Sequence, residues 1–416
     1  MGHIKKQTIK GSAYSYIGVF LGFLISGLLL PRLLTTEENG LLKLLISYSS
    51  LFAQFASLGF TNATTRLFAY FRDYKKNHHG FLLILFLVIG VGFTLTLSVF
   101  LIFKNQLIAP DKGNLDLFNQ YVNFLIPLSF FTLLFIMLDT YFKVLFNATV
   151  GTFYKEFLQR IVVLAAIAGF YFDVISLNGF IIAYIVANSL PGFMLLLRLI
   201  FTKQFSLKPD WGFIDRQMAK ALFNMSFYGI VVGFAGIMVL SVDSIIISRM
   251  LGIEATGIYA ITFFFSTLIV IPSRALRKIS GTVLADAWRD DDRNTINRVY
   301  SKSSINQLII GVLIFVGLWA NINNVFIILP HEYEAGRYVI LFLGLSNLIE
   351  MASGVSNTIL VTSKYYRFTA WLNLLLVIMV VGLNILFIDI FGLTGAAIAS
   401  FVSFLIFNIA RFSIIY

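Results

Sequence analysis

Cysteine is absent from the 416-residue chain, which excludes disulfides, thiolate metal sites and cysteine nucleophiles. Charge is scarce: Asp, Glu, Lys and Arg make up 12% of the residues, where a soluble domain carries about a quarter. No Walker loop or GxGxxG follows a strand, so the chain does not itself hydrolyse ATP. In their place stand hydrophobic residues at 58%, aromatics at 16% with 44 phenylalanines, and a mean hydropathy of +0.87. That is the surface of a protein solvated by lipid. A net charge of +11 can mean nucleic acid, but in a membrane protein it fits basic cytoplasmic loops, so the placement of the charges decides.

A helix needs about 20 mostly apolar residues to cross a bilayer. Twelve runs qualify: 11–34, 40–69, 80–103, 121–146, 153–172, 177–201, 221–251, 256–284, 303–329, 337–362, 366–388 and 393–416. The first follows Lys5, Lys6 and Lys10 as a signal peptide would, but it is too long and no small-residue cleavage site follows, so it reads as a retained span. With the N-terminus inside, all but six of the 31 Lys and Arg fall on the cytoplasmic side; the six are Arg32, Lys43, Lys104, Lys112, Arg249 and Arg337. The expectation is twelve spans with both termini cytoplasmic.

The chain also repeats itself. PRLLTTEENGLLKL from Pro31 lies over SRMLGIEATGIYAI from Ser248 without a gap, so that Arg32 falls on Arg249, Glu37 on Glu254 and Gly40 on Gly257. Tyr121-Val122 matches Tyr338-Val339 and Leu128-Ser129 matches Leu345-Ser346 at the same spacing, and Leu177, Gly179, Ile182 and Ala183 match Leu393, Gly395, Ile398 and Ala399 one residue closer. The pattern predicts a tandem duplication into six-helix lobes, 1–205 and 206–416, inserted with one orientation and flanking a cavity. The basic link 202–220 joins them, interrupted by Pro209, Trp211 and Gly212. The chain stops abruptly at Ile414-Ile415-Tyr416, which implies either a compact end or a lost tail.

Charges inside spans cost about 2.5–3.5 kcal/mol each at the helix centre on insertion scales, so each needs a reason. Glu350 lies near the middle of the tenth run, Asp243 in the outer half of the seventh, and Asp139 in the inner half of the fourth with Lys143 one turn on. Arg274 follows Pro272 in the eighth, and Arg66 is near the inner end of the second. One reading is a polar cavity in which Arg66, Arg274, Lys143, Arg32 and Arg249 hold an anionic substrate while Asp243, Glu350 or Asp139 titrates or binds a cation. The structural alternatives are an intrahelical Asp139–Lys143 pair, a snorkelling Arg66, and a shared helix-end role for Arg32 and Arg249 with Glu37 and Glu254. Gly40, Gly257, Gly179 and Gly395 fit tight corners or close helix approach. Gln54, Asn62, Asn188, Asn224, Asn347, Asn357 and Asn384 either line a wet cavity or tie helices together. His78-His79 reads as solvated in a basic loop, and Asp290-Asp291-Asp292 between Arg289 and Arg293 as a self-neutralising surface loop. No catalytic residue and no metal site is expected.

The seventh run ends in Asp243-x-x-Ile246-Ile247-x-x-x-Leu251-Gly252-x-x-x-x-Gly257-x-Tyr259, which resembles the Wzx-type polysaccharide flippases of the MATE-like MOP superfamily. Gly11-Ser12-Ala13-Tyr14-x-Tyr16 and Leu393-Thr394-Gly395-Ala396-Ala397-x-Ala399 are similar to the family as well. These motifs are structural corners and do not report the cargo. The resemblance implies an all-α, MATE-like transporter in the bacterial cytoplasmic (inner) membrane, and many members carry two further helices. It would flip a polyprenyl-diphosphate-linked oligosaccharide, such as an O-antigen unit for lipopolysaccharide, by alternating access. The implied partners are that lipid-linked oligosaccharide, membrane lipids and polysaccharide assembly proteins, with no nucleic acid. Cofactors are not expected beyond Na⁺ or H⁺ as coupling ion. The alternative is a cation-coupled multidrug exporter of the same fold, disfavoured because the first span lacks an acidic residue. A membrane enzyme is disfavoured because the outer connections are short.

Overall fold

The structure, a computed structural model, describes residues 2–108, 113–202, 204–210, 212–363 and 366–415. Lys112, Lys203, Trp211, Lys364 and Tyr416 of the sequence reading lie outside them. Among the described residues there are helices and no strands, the outcome expected where a backbone must satisfy its own hydrogen bonds in lipid. Ten helices are long and apolar enough to cross a membrane, and the pair Thr36–Ala56 and Phe60–Phe71, bent by 47°, makes an eleventh if it is one span.

Twelve such spans were expected, and the fifth run accounts for the difference. It is helical throughout as Thr149–Thr152, Phe153–Leu158 and Gln159–Tyr171. However, it carries Lys155, Glu156 and Arg160, and its first turns are widened to π geometry. Arg160 pairs with Glu156 at 2.8 Å, and Gln159 donates to Asn188 at 2.7 Å. Charge compensation inside the run, absent from a purely apolar span, keeps it helical.

The chain forms two compact units. The first comprises Met1–Leu33, Leu44–Ala109 and Asp116–Ser241, and the second Leu34–Lys43, Pro110–Leu115 and Val242–Tyr416. Packing therefore divides the helix Arg216–Leu251 at Ser241, whereas the repeat in the sequence turns over at 205. Packing follows contact and the repeat follows descent, so the two partitions describe different properties.

In the first unit Phe60, Phe68, Phe71, Phe81, Tyr141 and Phe142 are fully buried and meet mostly edge to face, with Phe68 and Phe81 centroids 5.1 Å apart. The bent second span breaks at Leu58 and Gly59, both at positive φ, and the bend seats the early turns of Arg216–Leu251: Asn62 donates to the Met225 carbonyl at 3.3 Å. Beside this core, His78 and His79 are buried, contrary to the solvated loop expected. His79 Nδ1 lies 2.8 Å from Asp210 Oδ2, and its ring stacks on Phe213 with centroids 3.8 Å apart. The far side of the ring approaches Asp73, whose carboxyl is held below its usual range by the N–H of Lys75 first and of Lys76 next. The link 202–220 is thus fastened through a residue that lay outside the link's own pattern. His79→Ala should raise the rate of limited proteolysis within 204–210 severalfold, with the rest of the chain cut as before.

In the second unit the repeat becomes visible as packing. A Cβ on Gly40 would fall on the Ile253 carbonyl oxygen, and a Cβ on Gly257 would fall on the Thr36 carbonyl oxygen. Thr36 and Ile253 are repeat equivalents, as are Gly40 and Gly257, so the first turns of Thr36–Ala56 and Ile253–Thr267 cross in a contact that maps onto itself. Residues Gly113 and Asn114 cap the neighbouring corner: Gly113 donates to the Arg249 carbonyl at 3.0 Å, and Asn114 accepts from Ile253 at 3.1 Å. Tyr366–Phe391 and Leu393–Ile415 form a hairpin through Gly392 at φ +58°, and Asp292 caps Arg293–Ala320 by accepting from Thr295 at 2.9 Å. The triple aspartate is in this respect a helix start.

Candidate functional site

Asp243 sits about two and a half turns before the corner at Gly252, inside the second unit and buried. Its carboxylate is met by three donors from three other helices. Tyr259 Oη of Ile253–Thr267 donates to Oδ2 at 2.5 Å, and Ser400 Oγ of Leu393–Ile415 donates to the same oxygen at 2.8 Å. Asn384 Nδ2 of Tyr366–Phe391 donates to Oδ1 at 2.9 Å and to the Val380 carbonyl at 2.8 Å. The two acceptors fix which face of the Asn384 amide points at Asp243. Around this polar knot lie Ile247, Val339, Leu343, Ile388, Ala396 and Ala397, all buried.

A fifth group completes the site. Lys43, one turn beyond Gly40, is partly buried and within electrostatic reach of Asp243. Its ammonium lies 5.4 Å from the centroid of Phe263, whose ring leans on Tyr259 at 6.0 Å. The close Gly40–Gly257 crossing brings the helix bearing Lys43 to the helix bearing Tyr259. The site thus combines a buried carboxylate, hydroxyls that can reverse their hydrogen bonds, and a cation on a flexible stem. The Tyr259 and Ser400 hydroxyls can donate to or accept at the Asp243 oxygens, and the buried amide oxygen of Asn384 beside them has no hydrogen-bond partner.

The other expected site residues are distributed differently. Glu350 is met at 2.9 Å by Arg411, a buried guanidinium that also binds Ser353 Oγ at 2.6 Å and the Asn408 amide oxygen. The sequence reading counted Arg411 among the cytoplasmic-side cations; in the structure it ties the last helix to Arg337–Ala352. Glu350→Ala should cost about 1–3 kcal/mol, read as a lowered melting midpoint in detergent, because Arg411 keeps its other two partners but loses its countercharge. Asp139 and Lys143 form the intrahelical pair at 2.5 Å, with the lysine exposed. Arg66 and Arg274 are exposed, as is Arg32, and Arg249 is half-buried. The structure gathers none of these cations around Asp243. Of the polar residues within spans, Asn62 and Asn347 tie helices to main-chain carbonyls, Asn384 serves Asp243, and Asn224 and Asn357 are exposed.

An all-helical chain with ten long apolar helices and an ionisable knot inside one unit is a multi-pass membrane protein. Its fold is that of transporters of the MOP superfamily. A multidrug resistance MATE family transporter in an inward-facing conformation superposes with a TM-score of 0.71 at 15% identity, covering 98% of this chain and 96% of that one. The lipid II flippase MurJ in an inward closed conformation gives 0.72 at 13% identity, covering 99% and 87%. A MOP superfamily transporter from Pyrococcus furiosus, described as having a binding pocket of reversed polarity, gives 0.62 at 16% identity, covering 99% and 94%. No curated protein matches the sequence. The chain belongs to the polysaccharide biosynthesis protein family, whose model matches residues 7–284. That stretch contains Lys43, Asp243 and Tyr259.

Proposed function

We propose that the chain is a flippase that carries a polyprenyl-diphosphate-linked oligosaccharide from the inner to the outer leaflet of a bacterial cytoplasmic membrane, by alternating access of the repeats 1–205 and 206–416. Both termini face the cytoplasm in this reading. The observation that carries it is Asp243, a carboxylate buried among apolar helices and held by Tyr259, Ser400 and Asn384 in a chain of the polysaccharide biosynthesis family. Intramembrane ionisable groups of this kind serve transport pathways, and Asp243 is the coupling group for H⁺ or Na⁺. The exposed Arg66 and Arg274 each offer a planar guanidinium suited to diphosphate oxygens. No covalent bond is broken, so the protein acts as a transporter and not as an enzyme.

A drug exporter shares the fold, and the MATE and MurJ likenesses are equally close. The family match favours the polysaccharide pathway. The test is a lipid extract from cells lacking the protein, analysed by mass spectrometry. A completed oligosaccharide lipid should accumulate and fall to normal on complementation. Cells that accumulate none and become sensitive to cationic dyes would instead contain an exporter.

A further inference from the structure

We infer that the turn Asn77–Gly80 is a catch on the link between the repeats, closed at neutral pH and opened in acid, with the His78 ring as its trigger. The inference is independent of the cargo and of Asp243.

The turn is left-handed. Asn77, His78 and His79 stand at φ +50°, +53° and +50°, and Gly80 at +71°. Residues with a side chain disfavour that conformation, and three of them in succession need holding. The hold comes from the His78 ring. It is buried, with its centroid 4.8 Å from that of Tyr74, 5.3 Å from Phe68 and 6.5 Å from Tyr141. Held so, the turn offers two surfaces to the link. A Cβ on Gly80 would come within 2.7 Å of the Lys208 carbonyl oxygen, so the link backbone lies directly on the glycine. His79 Nδ1 meets Asp210 at 2.8 Å, and its ring stacks on Phe213, which in turn rests on Phe71 at 5.1 Å.

The two rings answer a proton in opposite senses. The buried Nδ1 of His78 has no hydrogen-bond partner among the described residues. Of the charged groups in its reach, Arg72 and His79 repel a proton on the ring and Asp73 attracts one. Phe68 already faces the Arg72 guanidinium, 5.7 Å from its centroid, and the other two walls of the cage are neutral phenols. A charged ring there gives up its solvation, and among the described residues no ion pair compensates. A charged His79 gains by contrast, with Asp210 on one side and Asp73 4.0 Å away on the other. Those two carboxylates are 39% and 41% exposed, so water screens the gain. The loss at His78 therefore decides. Histidine changes charge between about pH 5 and about pH 8. On acidification His78 leaves its cage, the turn relaxes, and Gly80 and His79 no longer meet the link together. The tether between the repeats lengthens.

The test uses the full chain in liposomes. The chain has no cysteine, so Ala69→Cys and Lys208→Cys, both at exposed positions, place one spin label on the helix Phe60–Phe71 and one on the link. The distribution of distances between the labels is read at about pH 8 and about pH 5. With no further substitution it should be narrow at the higher pH and at least about twice as wide at the lower. His78→Phe fills the cage without a titrating group and should stay narrow at both; His78→Leu takes its place if the larger ring fails to fold. His79→Ala should be wide at both. A labelled chain with both histidines that stays narrow in acid overturns the inference. So does a folded His78 variant that widens in acid to the same extent, since another group is then the trigger. His79→Ala that stays narrow at both values also overturns it, because the link is then not held by the turn.

Discussion

Asparagine at position 243 should abolish transport and leave the protein folded. The substitution preserves shape, and the groups around it adapt: the hydroxyls of Tyr259 and Ser400 rotate to accept from or donate to an amide as readily as a carboxylate. Charge-assisted hydrogen bonds are lost, but so is the penalty of a buried charge, and the two changes oppose each other. The melting midpoint should therefore move by no more than about 1 kcal/mol of stability. Transport should fall on the order of a hundredfold or more, because an amide neither binds nor releases the coupling cation. Alanine at the same position separates the two effects. It strands Tyr259, Ser400 and Asn384 in an apolar setting at about 1–3 kcal/mol each, and the protein should fail to accumulate. Loss of transport in both variants with loss of fold only in the second is the expected pattern. It is measured by lipid-linked oligosaccharide accumulation alongside the yield of monodisperse protein.

The second large effect lies at the Gly40–Gly257 crossing. A methyl group at either position meets the partner helix's carbonyl oxygen, which is main chain and cannot rotate away. Either the helices separate or the turn distorts, at roughly 2–4 kcal/mol for Gly40→Ala or Gly257→Ala. Both substitutions push apart the same pair of helices, so the double variant should cost clearly less than the sum of the singles. Gly179→Ala is the control. A Cβ there would meet only side chains of Ile175 and Ser176 at ordinary contact distance, so its effect should stay within about 0.5 kcal/mol. Melting midpoints of the four variants in detergent check this. Because the crossing carries Lys43 to the Asp243 region, the Gly40 variant should also lose transport beyond its loss of folded protein.

These two sites also mark how far the sequence could be read. Asp243 was legible because a charge in an apolar run is conspicuous, and Gly40 and Gly257 because the corner is written twice. The all-helical membrane class followed from composition for the same reason: lipid leaves few alternatives. What pairs with what was not legible. Asp243 takes its partners from positions 16, 141 and 157 residues away, and Glu350 takes Arg411 from 61 residues away. Helical periodicity carries no information at such separations. The role of Arg411 was not legible, since counting charges by side assigns each cation to a loop and cannot recognise one that folds back onto a carboxylate, here Glu350. His79 escaped for a related reason: burial by Phe213 and Asp210 comes from the link, whose own pattern is merely polar. The fifth run was taken as one more apolar span because length and hydropathy dominate such a reading. Its charges, with Glu156 and Arg160 paired within the helix, set it apart.

The most direct measurement is flipping itself. Lipid-linked oligosaccharide bearing a label accessible only from outside is placed in liposomes with purified wild-type protein or with Asp243→Asn. The fraction of label reached by an impermeant reagent is then followed after a pH gradient is applied. The account predicts movement between leaflets with wild type, none with Asp243→Asn, and none for the same lipid in protein-free liposomes. Equal movement with wild type and Asp243→Asn would contradict the coupling role of Asp243. No movement with folded wild type under either a proton or a sodium gradient would contradict the flippase account as a whole.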